Sequence, residues 1–349
     1  MDPEDRETGG DVTDGMAGAR HGSAAAGVVE PGPGGRPLSV GLTMLAVVVA
    51  VVSMTTGGAM AVSGLFGYAF GPWRSPEALS PGLIGAAMLG VVPALFTLGR
   101  ARAWEEARTL VLPVVVVLVG TFAVSLLNGG DLHVARGGSV VLVLFSIGWV
   151  GVLGVLALCA VVTLALQYVR PAGPPGARVA PLPGWTKPFL AVLGAGWLGA
   201  GAGLLGMPGF WGQFVPWSTS RADAQGLGVW ALAMGIGVLG SLAEDDLARS
   251  RPALLAVPGV AAVAAVVLAA NASAVDWASG GAFSLVSLLA GLMSTGLIGR
   301  WLLARQETSK SAAPEAGSGS GSGPAAPGSE SGSGSGPVAP GAGSGSRPL

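Results

Sequence analysis

Long apolar runs separated by short polar turns recur along this chain, near 40–62, 81–99, 109–127, 139–168, 188–207, 226–243, 253–271 and 283–303. The runs are uniformly apolar and do not alternate with a period of two, so they do not read as the ten-residue strands of a membrane barrel. Each approaches the roughly 20 helical residues that cross about 30 Å of hydrocarbon. A helix satisfies its backbone amides internally, which makes it the remaining way to span a bilayer. The pattern therefore predicts an all-α integral membrane protein with eight transmembrane helices. The fourth run is long enough to tilt or to project past the bilayer.

Charged residues gather at the ends of the runs or between them, as expected when a charge at mid-bilayer costs at least about 2.5 kcal/mol. Only 11% of residues are charged and 51% are hydrophobic, against roughly 25% charged in a soluble domain. Mean hydropathy is +0.65. Near the spans, twelve cations fall on one side of the predicted membrane and three, Arg74, Arg136 and Arg221, on the other. The positive-inside rule then places both termini in the cytoplasm. No cleavable signal is expected, because a polar stretch precedes the first run. The lipid bilayer is the expected partner, and no nucleic acid is. Cys159 is the single cysteine and falls in the fourth run, which reads as a small core residue and rules out an intramolecular disulfide.

The runs fall into two matched sets. Phe66, Phe70, Pro72 and Trp73 return 144 positions later as Phe210, Phe214, Pro216 and Trp217. Gly82-Leu83 returns as Gly226-Leu227 at the same offset, whereas Asn128 returns as Asn271 and Gly137-Gly138 as Gly280-Gly281 at an offset of 143. Internal repeats fix architecture before chemistry. The chain accordingly divides into a disordered cytoplasmic tail (1–38), a four-helix repeat (39–169), a Pro-rich linker (170–187), a second four-helix repeat (188–304) and a Gly/Ser-rich disordered tail (305–349). Four is even, so the copies enter the membrane in the same sense, as two tandem parallel repeats related by an axis along the membrane normal.

The Phe-x-x-x-Phe-x-Pro-Trp element lies after the first helix of each copy, on the outer side. Aromatic rings at that depth suit the membrane interface; the alternative is an aromatic-walled outer vestibule. Ser75-Pro76-Glu77, Ser80-Pro81 and Ser218-Thr219-Ser220 read as helix starts. The four-helix unit with this Phe-x-Pro-Trp turn and the Gly-Leu entry to the next helix resembles uncharacterised multi-pass membrane proteins of high-GC bacteria. That resemblance covers roughly residues 40–304 and implies no activity, cofactor or functional residue.

Other candidates are weaker. Ser53, Thr55, Thr56, Gly57 and Gly58 interrupt the first apolar run; they read as ordinary helix packing, with a local break lining a polar path as the alternative. Six glycines crowd the fifth run, and Gly199 with Gly203 forms a small-residue pair suited to close helix approach. The charged hairpins 100–108 and 244–251 read as solvated turns or as docking points for a soluble cytoplasmic partner. His133 with Asp131 and Arg136 could do acid–base work, but the second copy carries Trp277 near that place. No cofactor or metal site is indicated. The expected function is that of a non-catalytic inner-membrane protein. The alternatives are, first, a secondary transporter or flippase for a neutral or apolar substrate and, second, a membrane enzyme.

Overall fold

The computed structural model describes residues 36–101, 103–171 and 180–312; the N-terminal tail, most of the linker and the C-terminal Gly/Ser tail lie outside these residues. The described residues form eight long helices: α1 Val40–Leu65, α2 Leu79–Leu98, α3 Trp104–Leu127, α4 Val140–Val169, α5 Thr186–Gly206, α6 Arg221–Glu244, α7 Arg251–Ala270 and α8 Gly280–Ala312. All eight are long and apolar enough to cross a membrane. Helices α3 and α6 begin before the apolar runs do, because a polar first turn extends each past its hydrophobic stretch. At α6 the Ser220 hydroxyl accepts from the Asp223 amide (3.1 Å) while the Asp223 carboxylate accepts from the Ser220 amide (3.2 Å), a reciprocal capping box.

The helices meet at glycines. A Cβ on Gly201 of α5 would stand 2.7 Å from Leu232 Cα of α6, and one on Gly235 of α6 would stand 2.6 Å from the Leu198 amide of α5. Such spacing lets two backbones approach to van der Waals contact and gives α5 and α6 their long shared face. Gly199 has open space where its Cβ would be and is exposed. The close-packed seam thus runs through Gly201 and not through a Gly199–Gly203 pair, since positions two apart point to different sides of a helix. Helix α2 is the most enclosed, meeting α1 at Gly85 and α7 at Gly90.

Chain entries are tied to distant helix ends. Gln167, fully buried near the end of α4, accepts from the Ser39 amide (3.0 Å) and donates to the Pro37 carbonyl (2.9 Å). The Trp104 amide donates to the Arg36 carbonyl (2.8 Å), and the Leu247 amide donates to the Ala180 carbonyl (2.7 Å). The second charged hairpin is not a solvated turn. Glu244 and Asp246 are buried, Arg108 pairs with Glu244, and Arg249 lies 3.6 Å from the Asp246 carboxylate. Burial of unpaired carboxylates would be costly; Arg108 comes from α3 and Arg249 from the hairpin itself to meet them. Cys159 is exposed on α4 and is not a core residue.

Candidate functional site

Both Pro-Trp turns lie at the same end of the helix bundle, and each reaches the head of a helix in the other half. Trp73 is buried, and its indole N–H donates to Asp223 Oδ1 at 2.8 Å. The Ser75 hydroxyl donates to the same oxygen (2.7 Å), and Ser220 donates its hydroxyl to Oδ2 (2.8 Å). With the Ser220 amide, four neutral donors engage a side chain that is fully buried. In the reverse direction Trp217 donates its indole N–H to the Ser80 hydroxyl (2.9 Å), and the Ser218 amide donates to Glu77 Oε1 (3.3 Å). Ser75 and Ser80 therefore serve the contact between halves and not the cap of α2, whose N-cap residue, Ala78, has no side-chain cap. Of the predicted starts, Ser220 alone caps a helix through its side chain.

The eight aromatic-turn residues separate into two environments. Pro72, Trp73, Pro216 and Trp217 are buried, so these tryptophans do not sit against lipid as interface rings. Phe66, Phe210 and Phe214 are exposed. Phe70 stacks on Phe145 at 4.6 Å; Phe145 lies 6.0 Å from Trp149, which meets Trp73 edge-on at 6.3 Å. In the second half Phe210, Trp211 and Phe214 stack on one another instead, with Phe210 and Phe214 at 5.4 Å. The proline carbonyls are used alike: Pro72 accepts from the His133 amide (3.2 Å), and Pro216 accepts from the Asp276 amide (2.8 Å).

The two matched asparagines also cross between halves. Asn128 donates to Gln225 Oε1 (2.7 Å), and Gln225 donates onward to the Leu205 carbonyl (3.2 Å); Asn271 donates to the Gly64 carbonyl (2.9 Å). Asp223 and Gln225 are contact positions between the halves that span-by-span charge does not single out; for Asp223 the one signal is the Ser220-x-x-Asp223 spacing, which reads only as a cap. His133 is buried, whereas Asp131 and Arg136 pair with each other at 2.8 Å on the surface. The three do not form an acid–base relay.

The polar interruption of α1 forms one π-helical turn, Ser53–Gly57. Thr55 is exposed and donates back to the Val51 carbonyl (3.0 Å), and Thr56 donates to Val52. Gly57 is packed against α2, where a Cβ would stand 2.5 Å from Met88 Cβ, while Gly58 has no atom near that position. Ser53 borders a small space of about 60 Å³ between α1, α2, α3, α4, α6 and α7 with almost wholly apolar walls, which the other four do not line. These residues do not converge on a shared polar space.

A larger cavity of about 340 Å³ lies under the second Pro-Trp turn. Trp197, Trp211, Phe214, Trp217 and Trp230 supply its aromatic wall, Leu285 and Leu288 of α8 form another side, and no Asp, Glu, Lys, Arg or His lines it. Two glycines seat the rim: a side chain at Gly203 would run into the Trp211 indole, and one at Gly281 into the Phe214 carbonyl. Trp197 is 9% exposed, and its indole N–H is buried without an acceptor. Searches for similarity returned no match to any family model, curated protein or solved structure.

Proposed function

We propose that this chain is a non-catalytic, multi-pass protein of the inner membrane, built from two tandem parallel four-helix repeats with both termini cytoplasmic, that holds a neutral, largely apolar ligand beneath its second Pro-Trp turn. The observation that carries the ligand reading is the 340 Å³ aromatic cavity free of ionisable side chains. Its size falls within the range of about 300–1,000 Å³ typical of small-molecule pockets. Charge-free walls suit a neutral guest, because a charged one would lose its hydration without finding a partner.

The repeat reading draws support from bonds that recur at the sequence offset. Trp104 to Arg36 corresponds to Leu247 to Ala180, and His133 to Pro72 corresponds to Asp276 to Pro216. The same register also accounts for the cavity occurring in one half. At an offset of 143, Phe145 and Trp149 correspond to Leu288 and Leu292. In the first half those two rings pack beside Trp73; in the second, Leu288 lines a space left open beside Trp217.

A transporter or flippase with its path between the halves has less support. The space beside Ser53 is about 60 Å³ and apolar, and Thr55 is exposed and does not line it. To test binding, the full chain in lipid nanodiscs is labelled with an aliphatic diazirine and the adducts are mapped. Adducts on α5 and α8 around residues 200–217 and 280–289, lost in Leu288→Phe, are expected. Labelling there that ignores the filling substitution, or no labelling, rejects the reading.

A further inference from the structure

Resting on that reading, we infer that the ligand is a neutral amphiphile with a hydroxyl-bearing head, of the alkyl- or acylglycerol class, its chain in the cavity and its head in a polar basin at the same turn. Two spaces meet there. Val215 and Trp217 belong to the wall of the apolar cavity and also to the wall of an open basin of about 680 Å³, whose lining includes Gln213, Ser218, Thr219 and Arg221. A molecule that occupies both must be apolar at one end and polar at the other. The depth of the cavity agrees. On α8 its lining runs from Gly280 to Leu289, and on α5 Trp197 lies equally far from the helix end at Gly206, about 13 Å in each case at 1.5 Å per residue. That is close to half of a hydrocarbon core of about 30 Å, the reach of one leaflet's chains. Phe214, Gly280 and Ser284 on the margin are exposed, so the cavity opens at the surface of the bundle, where a chain enters from the side while its head stays at the rim.

The chemistry of the basin selects the head. No Asp or Glu lines it, so a cationic head finds no partner there. Arg221 is the one cation in its lining, and the Asp223 carboxylate is buried in the same first turn of α6. The two charges offset each other, and an anionic head gains little Coulomb attraction. Gln213 donates its amide N–H to the Gly209 carbonyl (3.1 Å), which leaves Oε1 as an acceptor, while Arg221 is exposed and offers donors only. A hydroxyl answers both, since it donates and accepts through one oxygen. A hydrocarbon without a head gains nothing from these groups.

The test uses the full chain in nanodiscs and probes of one chain length: dodecane, 1-O-dodecylglycerol and dodecyl phosphate. Each is titrated, per lipid in the disc, as a competitor of the aliphatic diazirine label at residues 280–289. Dodecylglycerol is expected to compete about tenfold more strongly than dodecane, the equivalent of one or two net hydrogen bonds, and dodecyl phosphate no better than dodecylglycerol. Gln213→Leu, at an exposed position outside the cavity lining, is expected to bring dodecylglycerol towards dodecane and to leave dodecane unchanged. Orientation is read on the wild-type protein: dodecylglycerol with a diazirine on its head is expected to label residues 208–221, and with the diazirine at its chain end to label around 197 and 289. Equal competition by dodecane and dodecylglycerol, or head and chain-end probes that label the same residues, overturns the head assignment while leaving an apolar pocket in place. Stronger competition by dodecyl phosphate, lost in Arg221→Gln, overturns the neutral class in favour of an anionic head. Failure of all the probes to compete overturns the pocket as well.

Discussion

Trp73 and Asp223 lie 150 residues apart in sequence and 2.8 Å apart in space, with an indole N–H of the first half donating to a carboxylate that also caps a helix of the second. The acid thus performs two tasks with its two oxygens. Oδ2 closes the capping box with Ser220, and Oδ1 receives Trp73 and Ser75. This is the point where local helix chemistry and association of the halves are joined.

Trp73→Phe is expected to lower stability by about 1–3 kcal/mol or more, since the substitution leaves a fully buried oxygen short of one donor and opens a void where the second ring of the indole stood. Asp223→Ala is expected to cost more, because it removes the reciprocal half of the capping box and leaves the indole and two serines without an acceptor. Thermal melts of the detergent-solubilised variants, followed by circular dichroism, give the order. A Trp73→Phe melt equal to wild type contradicts the assignment.

Neighbouring glycines in α1 are expected to respond in opposite ways. Gly57→Ala places a methyl group 2.5 Å from Met88 Cβ, which forces α1 and α2 apart and is expected to cost about 1–3 kcal/mol. Gly58→Ala meets no neighbour and is expected to be neutral or to stabilise the helix by up to about 1 kcal/mol. Equal melts for the two variants contradict the packing described here.

Orientation is open to a chemical test in the Cys159→Ala background. Single cysteines at 74 and 221 are expected to react with a membrane-impermeant maleimide added to intact cells, and cysteines at 178 and 251 only after permeabilisation. The reverse pattern inverts the topology that the cation distribution implies.

Filling the second-half cavity is expected to be tolerated. Leu288→Phe adds a ring where Phe145 stands in the first half, and is expected to hold or raise the melting temperature, since it occupies space that is now open. A fall of several degrees would mean that the wall cannot accept the ring and would argue against the register between Phe145 and Leu288.

Much of the helical framework was legible in the sequence, because each helix carries a long uncharged core and that requirement is local. The aromatic motif was legible as a recurrence, but its environment was not. Trp73 and Trp217 have the spacing and the flanking turn of interface residues, and their burial depends on Asp223 and Ser80, which lie far away in sequence. Asp223 itself sits in the first turn of α6, where an acid is ordinary at a helix start. Nothing in the segment 221–226 signals that an indole from the other half completes it. The polar step at Ser53–Gly58 shows the opposite limit: hydroxyls and glycines that could line a path are satisfied by their own helix or by α2. The cavity was out of reach of any single segment, because its walls come from α2, α5, α6, α7, α8 and the turn after α5.

The crossed contacts at the Pro-Trp end carry a consequence for biogenesis. When the first four helices have left the ribosome, Trp73 and Asn128 have yet to meet Asp223 and Gln225, which enter the membrane only with α6. Residues 39–169 are therefore an unfinished object, with donors waiting for acceptors that are still being synthesised, and completion comes when the sixth helix arrives. Expressed alone, that half would present its unsatisfied end to quality-control proteases; supplied in trans with the second half, it has a complementary surface on which to settle.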